Sequence, residues 1–252
     1  MSSPKSSPSA PRPGSWQASR ILHEDEWLVV VDKPAGLPTQ PTIDASRPSV
    51  FSELKAFLEA RPGGCPYLGL QHRLDRDTSG VLLFTKDPKI NAAAGALFSE
   101  KTAQKTYQAL CVANAAPPDS WEVRNYLGII GKQGKANQFG AVRSGGDPAQ
   151  TGFRVLGRFA GAVLVEATPR TGRTHQIRVH LAGSGLPLLG DTLYGGPVSL
   201  RLPSGARFNV PHFFLHASSL AFRHPQTQEE LKICAPLPAD FEDCLRRLSP
   251  PR

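Results

Sequence analysis

Apolar and polar positions along this chain follow two periods, and the changes of period divide it into elements. ILHE at 21–24 reads as a short strand, followed by an acidic turn, and Trp27–Asp32 is a nearly unbroken apolar run. GVLLFTK at Gly80–Lys86 is a second such run, and short runs of this kind bounded by turn residues predict buried strands. From Ser49 to Glu59 the spacing is helical, with Val50, Leu54 and Leu58 on one face and Phe51 beside them. Ser49 suits the N-cap and Pro62-Gly63-Gly64 the stop. A further helix is expected at Ala92–Ser99 after Asp87-Pro88, then strands at Lys105–Val112, Trp121–Val123, Thr151–Phe159 and Ala162–Thr168. Leu127–Asp147 is Gly-rich and polar and fits an exposed loop or an irregular hairpin. THQIRVHLAGSG fits a helix capped by Thr174 and ended at Gly183 or Gly185, although strand alternation fits the same letters almost as well. The segment from Phe213 predicts a hairpin turning at HPQTQE, and a last short helix covers Ala239–Leu248. Hairpin spacings outnumber crossover spacings and no repeat is visible. The fold class expected is α+β, an extended, largely antiparallel mixed sheet flanked by helices.

Composition changes this picture at the N-terminus. Residues 1–19 are rich in Ser, Pro and Ala and cannot bury enough apolar area to offset the entropy of ordering. A disordered tail is expected there, with Lys5 and Arg12 dispensable, and one folded domain over residues 20–252. Lys and Arg number 29 against 21 Asp and Glu, a net charge of +8. Such an excess favours polyanionic partners such as RNA or DNA, and it equally suits a protein merely kept soluble by its charge. The 4 cysteines, Cys65, Cys111, Cys234 and Cys244, form no close pair, which disfavours a disulfide framework or a zinc ribbon. Cys111 and Cys234 lie in apolar runs and are expected in the core. No run reaches the length of a spanning helix and the N-terminus lacks the apolar stretch of a signal peptide, so a cytoplasmic location is expected.

Two stretches carry candidate chemistry. QHRLDRDTSG puts His72, Arg73, Asp75, Arg76 and Asp77 at the mouth of the Gly80–Lys86 strand. Buried charge is costly unless paired, so charges gathered at a core strand mark a site. Asp77 is expected only to cap the Thr78-Ser79-Gly80 turn. Downstream, PRTGRTHQIRVH brings Arg170, Arg173, His175, Arg178 and His180 to one helix start, a place that favours anions. His175 and His180 diverge on a helix and no third ligand is evident, so structural or RNA-contacting roles outweigh metal binding. Tyr107, at the start of a strand, reads by spacing alone as half-buried core.

His72-Arg73-Leu74-Asp75 followed by Thr78-Ser79-Gly80 resembles the signature of the RluA-like family of RNA pseudouridine synthases. ILHEDEWLVVVDKPAGLPTQ, Lys105-x-Tyr107, TGRTHQIRVHLAGSGLPLLGDTLYGG and Leu215-His216-Ala217 with AFRHPQT resemble its other motifs, in order from about residue 20 to residue 242. The resemblance implies a pseudouridine synthase catalytic domain and a cofactor-free, metal-free isomerisation in which uracil is detached from C1′, turned and rejoined through C5. It casts Asp75 as the aspartate that attacks sugar or base, and Tyr107 as the ring stacked on the target base and a participant in proton removal from C5. Arg178 becomes the salt-bridge partner of Asp75, and Arg73 the filler of the space left by the flipped nucleotide. Arg76, Lys105, Arg173 and His175 would grip phosphates. The shorter members it resembles act on transfer RNA, ribosomal RNA or both. A segment as short as 1–19 could not form the RNA-binding module that many relatives carry, so a stem-loop recognised by the catalytic domain and a monomeric enzyme are expected. Two other readings remain: a hydrolase, which would need a second carboxylate, and an RNA-binding protein or RNA chaperone using the same fold.

Overall fold

The apolar runs pair into one large sheet. The computed structural model describes residues 16–249 apart from 43, 45, 46, 66, 114, 115, 135 and 160. In chain order the elements begin with β1 (Ile21–Glu24), β2 (Leu28–Lys33), α1 (Val50–Glu59), β3 (Gly69–Leu70) and β4 (Ser79–Thr85). There follow α2 (Asn91–Ser99), β5 (Gln104–Val112), β6 (Ser120–Gln133), β7 (Ala136–Ala141), β8 (Asp147–Phe159) and β9 (Ala162–Pro169). The chain continues through α3 (Gln176–Gly183), β10 (Ser199–Arg201), β11 (Arg207–Asn209), β12 (Leu215–Arg223), β13 (Glu230–Cys234) and α4 (Ala239–Leu248). The 11-stranded sheet runs β1-β2-β4-β12-β5-β9-β8-β6-β7, with β13 on β12 and β3 on β4. Its pairings are antiparallel except for the seam between β4 and β12. The separate pair β10–β11 is also antiparallel. This is the α+β architecture the pattern predicted.

Both faces of the central strands are covered, which explains why their runs are continuously apolar. Val29, Val31, Leu82 and Phe84 pack with Val50, Leu54 and Leu58 of α1 and Leu181 of α3. Leu28, Val30, Val81 and Leu83 pack on the other face with Leu97 of α2. α1 starts where expected, at a capping box in which Ser49 accepts from the Ser52 amide and the Ser52 hydroxyl accepts from the Ser49 amide. At the parallel seam β12 comes so close that a Cβ on Gly80 (φ +106) would lie 2.2 Å from the Ala217 carbonyl oxygen. Only glycine fits there. Alongside, the Ser79 hydroxyl and His216 Nδ1 lie 2.9 Å apart in the buried interior.

Several expectations need correction. Residues 1–15 of the expected tail lie outside the described residues, but Trp16 is buried and Ala18–Arg20 forms a turn of 3-10 helix. Ordered packing therefore begins before residue 20. The strand expected at Trp121–Val123 is much longer, β6 running to Gln133, and the Gly-rich stretch takes the irregular-hairpin alternative, β6 against β7 with a register shift between Ile129 and Gly131. Cys234 is exposed, on the outer strand of the β12–β13 hairpin, while Cys65, Cys111 and Cys244 are buried. No helix among the described residues is long and apolar enough to cross a membrane.

Candidate active site

The charged loop entering β4 is held from beneath by the loop that follows β2. Lys33 is completely buried and its Nζ donates to the carbonyls of Pro34, Arg76 and Thr78 at 2.9, 2.7 and 2.8 Å. Burial pushes this ammonium down to about 7 against the pull of Asp77 and Asp75. Thr39 Oγ1 donates to the Leu74 carbonyl and accepts from the Leu74 amide, at 2.8 and 3.1 Å. The residues on either side of Asp75 are therefore fixed through their backbone, as a preorganised site requires.

Asp75 meets α3 across this loop. Arg178 Nη1 donates to Asp75 Oδ2 at 3.2 Å. The guanidinium fork itself belongs to Asp191: Nε donates to Oδ2 at 2.7 Å and Nη2 to Oδ1 at 2.8 Å. Burial opposes the charge of Arg178, and the Asp191 and Asp75 carboxylates outweigh it, so its pKa stands above the usual arginine value. The guanidinium carbon lies 4.4 Å from the ring centre of Phe213 and 4.9 Å from that of Tyr194. Such contacts hold an arginine plane as well as its charge. His175 precedes α3 in the left-handed conformation (φ +57), with Nε2 3.9 Å from Asp75 Oδ2 and Nδ1 2.8 Å from the Tyr194 hydroxyl. The expected cap, Thr174, makes no such bond. Instead the Gln176 side chain accepts from the Arg173 amide and the Thr171 hydroxyl.

Tyr107 is 8% exposed, and burial followed by the Asp75 charge drives its phenol upward, so it stays neutral. Asp75, Tyr107 and Arg178 together line a cleft of about 920 Å³. Its cations are Arg73, Lys101, Lys105, Arg170, Arg173 and Arg178, and among the described residues Asp75 is its only carboxylate. Burial lowers the Lys105 ammonium. Arg173 also reaches back to the Pro148 carbonyl at 3.2 Å.

Of the other singled-out residues, His72 lines the cleft, whereas Arg76, Asp77 and His180 do not. Asp77 is gripped at both oxygens by Arg76, at 2.9 and 2.8 Å, rather than acting as an isolated turn cap, and neither residue lines the cleft. His72 accepts the Leu83 amide at 3.0 Å and stacks on Phe98, and burial lowers it to about 3. His180 points away to Thr151 and Asn125, at 2.9 and 3.0 Å. No cluster of three His, Cys, Asp or Glu side chains fit to hold a metal ion occurs among the described residues. Sequence reasoning missed Asp191, Tyr194, Thr39 and Phe213. Only Asp191 left a signal, as a lone acid in the otherwise neutral run GLPLLGDTLYGG shortly after an arginine that needed a partner.

With this geometry the chain matches known proteins over most of its length. The family model described as RNA pseudouridylate synthase matches residues 27–183. Ribosomal large subunit pseudouridine synthase C of Vibrio cholerae serotype O1 is 36% identical over 230 residues, 90% of this chain and 69% of the relative. Ribosomal large subunit pseudouridine synthase D of Xanthomonas campestris pv. campestris is 33% identical over 241 residues, again 90% and 69%. The solved structure of Human RNA Pseudouridylate Synthase Domain Containing 4 superposes with a TM-score of 0.71 at 28% identity, covering 91% of this chain and 93% of that one. Sequence, fold and cleft converge on one conclusion: this chain belongs to the RNA pseudouridylate synthase family and is an isomerase acting on RNA.

Proposed function

We propose that Asp75 is the reacting carboxylate and that the substrate is a uridine in a ribosomal or transfer RNA stem-loop, ribosomal RNA being favoured by the names of the curated relatives. The observation that carries this reading is a single carboxylate at the base of a cationic cleft, tied to an arginine. A hydrolase reading needs a second carboxylate across the scissile bond, and none lines this cleft. The target base leaves its stack at a cost of a few kcal/mol, least in a loop or bulge. Asp75 attacks the sugar or the base, the N1–C1′ bond breaks, the ring turns, a C5–C1′ bond forms, and the bond to Asp75 breaks to free the carboxylate as the C5 proton is lost. Arg178 holds the carboxylate ionised and oriented. Tyr107 offers a neutral aromatic face, and stacking on it returns roughly 1–3 kcal/mol. Its raised pKa disfavours a phenolate, so any part in C5 deprotonation is a relay in which the phenol passes on its O–H proton as it takes up the one from C5. Arg73 fills the place of the departed base, and Lys105 and Arg173 bind phosphates beside the cleft. Arg76, tied to Asp77, contributes a phosphate contact outside it.

Tritium release from transcripts carrying 5-tritiated uridine tests the proposal, because C5–C1′ bond formation expels the label to water. Wild type should release label from ribosomal large-subunit or transfer RNA transcripts. Asp75→Ala should release none while binding RNA within about twofold of wild type, since one carboxylate adds little attraction to a polyanion. Label release by Asp75→Ala at the wild-type rate would remove Asp75 from the chemistry.

A further inference from the structure

His175 enters the site in a strained backbone conformation, and what surrounds its ring gives a reason. The Phe139 amide, on β7, donates to the Tyr194 hydroxyl at 3.1 Å. A backbone N–H can only donate, so this bond occupies an acceptor position of the phenol oxygen and leaves its single O–H for another partner. His175 Nδ1 lies 2.8 Å from the phenol oxygen, so an imidazole unprotonated at Nδ1 would accept that O–H. Burial raises the Tyr194 phenol, which keeps its proton. A neutral imidazole whose Nδ1 accepts must carry its hydrogen on Nε2. Nε2 is the atom turned to Asp75 Oδ2, the oxygen that Arg178 also contacts.

We infer that Tyr194, pinned by the β6–β7 hairpin, is a positioning residue that locks His175 in the tautomer presenting Nε2–H to the Asp75 carboxylate. This rests on the reading of Asp75 as the reacting group. The tautomer gives the carboxylate a second donor that carries no second full charge, so its orientation is fixed without quenching it as another cation would. At 3.9 Å the Nε2–H stands just beyond hydrogen-bond length, a spacing that closes when a substrate tightens the site. The hairpin also adds the Phe139 ring, in a T-shaped contact with the imidazole at 5.5 Å between ring centres. The Tyr194 ring meanwhile covers the Arg178 guanidinium, so one side chain serves both groups that meet Asp75.

Replacing Tyr194 by Phe separates the two roles, because the ring over Arg178 stays while the hydroxyl that meets His175 Nδ1 and the Phe139 amide is lost. Two measurements decide the case. In nitrogen-15 NMR of histidine-labelled protein, with the His175 signals identified by their absence in His175→Gln, wild type should show an unprotonated Nδ1 and a protonated Nε2. The Tyr194→Phe variant should show a mixture of tautomers. Tritium release by Tyr194→Phe should have kcat lowered roughly ten- to hundredfold, as for a reacting group slightly out of place, with KM for RNA changed less than about twofold. Its melting temperature should fall only slightly, for the Phe139 amide left without its acceptor, whereas Tyr194→Leu, which also uncovers Arg178, should melt much lower. The charged groups facing His175 are Asp75, Arg178, Asp191 and Arg73. With the tyrosine O–H gone from Nδ1, the ring takes up a proton more readily, so the acid limb of the kcat profile should move to higher pH in Tyr194→Phe. A merely structural tyrosine would not move that limb. A proton on Nδ1 in wild type overturns the proposal, and so does a Tyr194→Phe enzyme with wild-type kcat and pH profile. The NMR result does not depend on turnover, so Asp75 stands or falls separately on the Asp75→Ala control.

Discussion

Arg178 serves two carboxylates unequally, with a fork on buried Asp191 and a single N–H on Asp75. The two partners should therefore separate stability from catalysis. Removing one member of a buried pair strands the other charge and costs about 3–5 kcal/mol. Arg178→Ala should melt lower by that amount and lose turnover. Replacing both partners of the buried fork, as in Arg178→Met with Asp191→Leu, should recover most of the melting temperature and none of the activity. A double variant as unstable as Arg178→Ala would show that the fork is not where the stability resides. The pairing of Arg178 with Asp75 was readable from sequence through the family resemblance, supported by two charge clusters that needed partners. Asp191 was not, because a lone acid in a Gly-rich turn looks the same whether it faces water or a guanidinium. The sequence suggests a phosphate contact for His175, and neither its positive φ nor its closeness to Asp75 leaves a mark in the letters.

Among the elements, the loop after β2 does more for the site than its Pro- and Gly-rich letters suggest. Thr39 closes two hydrogen bonds on the Leu74 backbone, next to Asp75. Thr39→Val keeps the shape and leaves a buried amide and carbonyl unpaired, a loss of about 1–3 kcal/mol. Chemical denaturation should register that loss, and kcat should fall with it while KM for RNA holds. An unchanged kcat would mean that Lys33 alone fixes the loop. The strands were legible because a sheet covered on both faces needs uninterrupted apolar runs, as Leu28–Val31 and Val81–Phe84 provide. The start of α3 was misread because Thr174 is a good capping residue in general, while the bond that matters comes from Gln176 folding back on Arg173 and Thr171. The β6–β7 hairpin was left open between loop and strand because its glycines weaken strand propensity, whereas β8 supplies the pairing that decides it.

Across the whole molecule, buried neutral histidines link stability to pH. His180 lies between Thr151 and Asn125, and burial lowers it from an ordinary 6.5 to about 4; His72 is lowered to about 3. Below 6.5 the unfolded chain takes up protons that the folded one refuses, so stability must fall as pH drops from 6.5 toward 4. His180→Gln should flatten that decline by as much as about 1.4 kcal/mol per pH unit, read from melting curves across the window. An identical slope in wild type and variant would exclude His180 as a source. The parallel seam between β4 and β12 has a further consequence, one of time. It joins Ser79 to His216 across a separation of 137 residues, and the Asp75–Arg178 contact spans 103. Contacts so distant in sequence form late, after loop-closure entropy has been overcome. A chain emerging from the ribosome thus carries Asp75 long before α3, which supplies Arg178, and β12, which flanks β4, have been made. The sheet around the site is incomplete until β12 (Leu215–Arg223) has been synthesised and has inserted between β4 and β5.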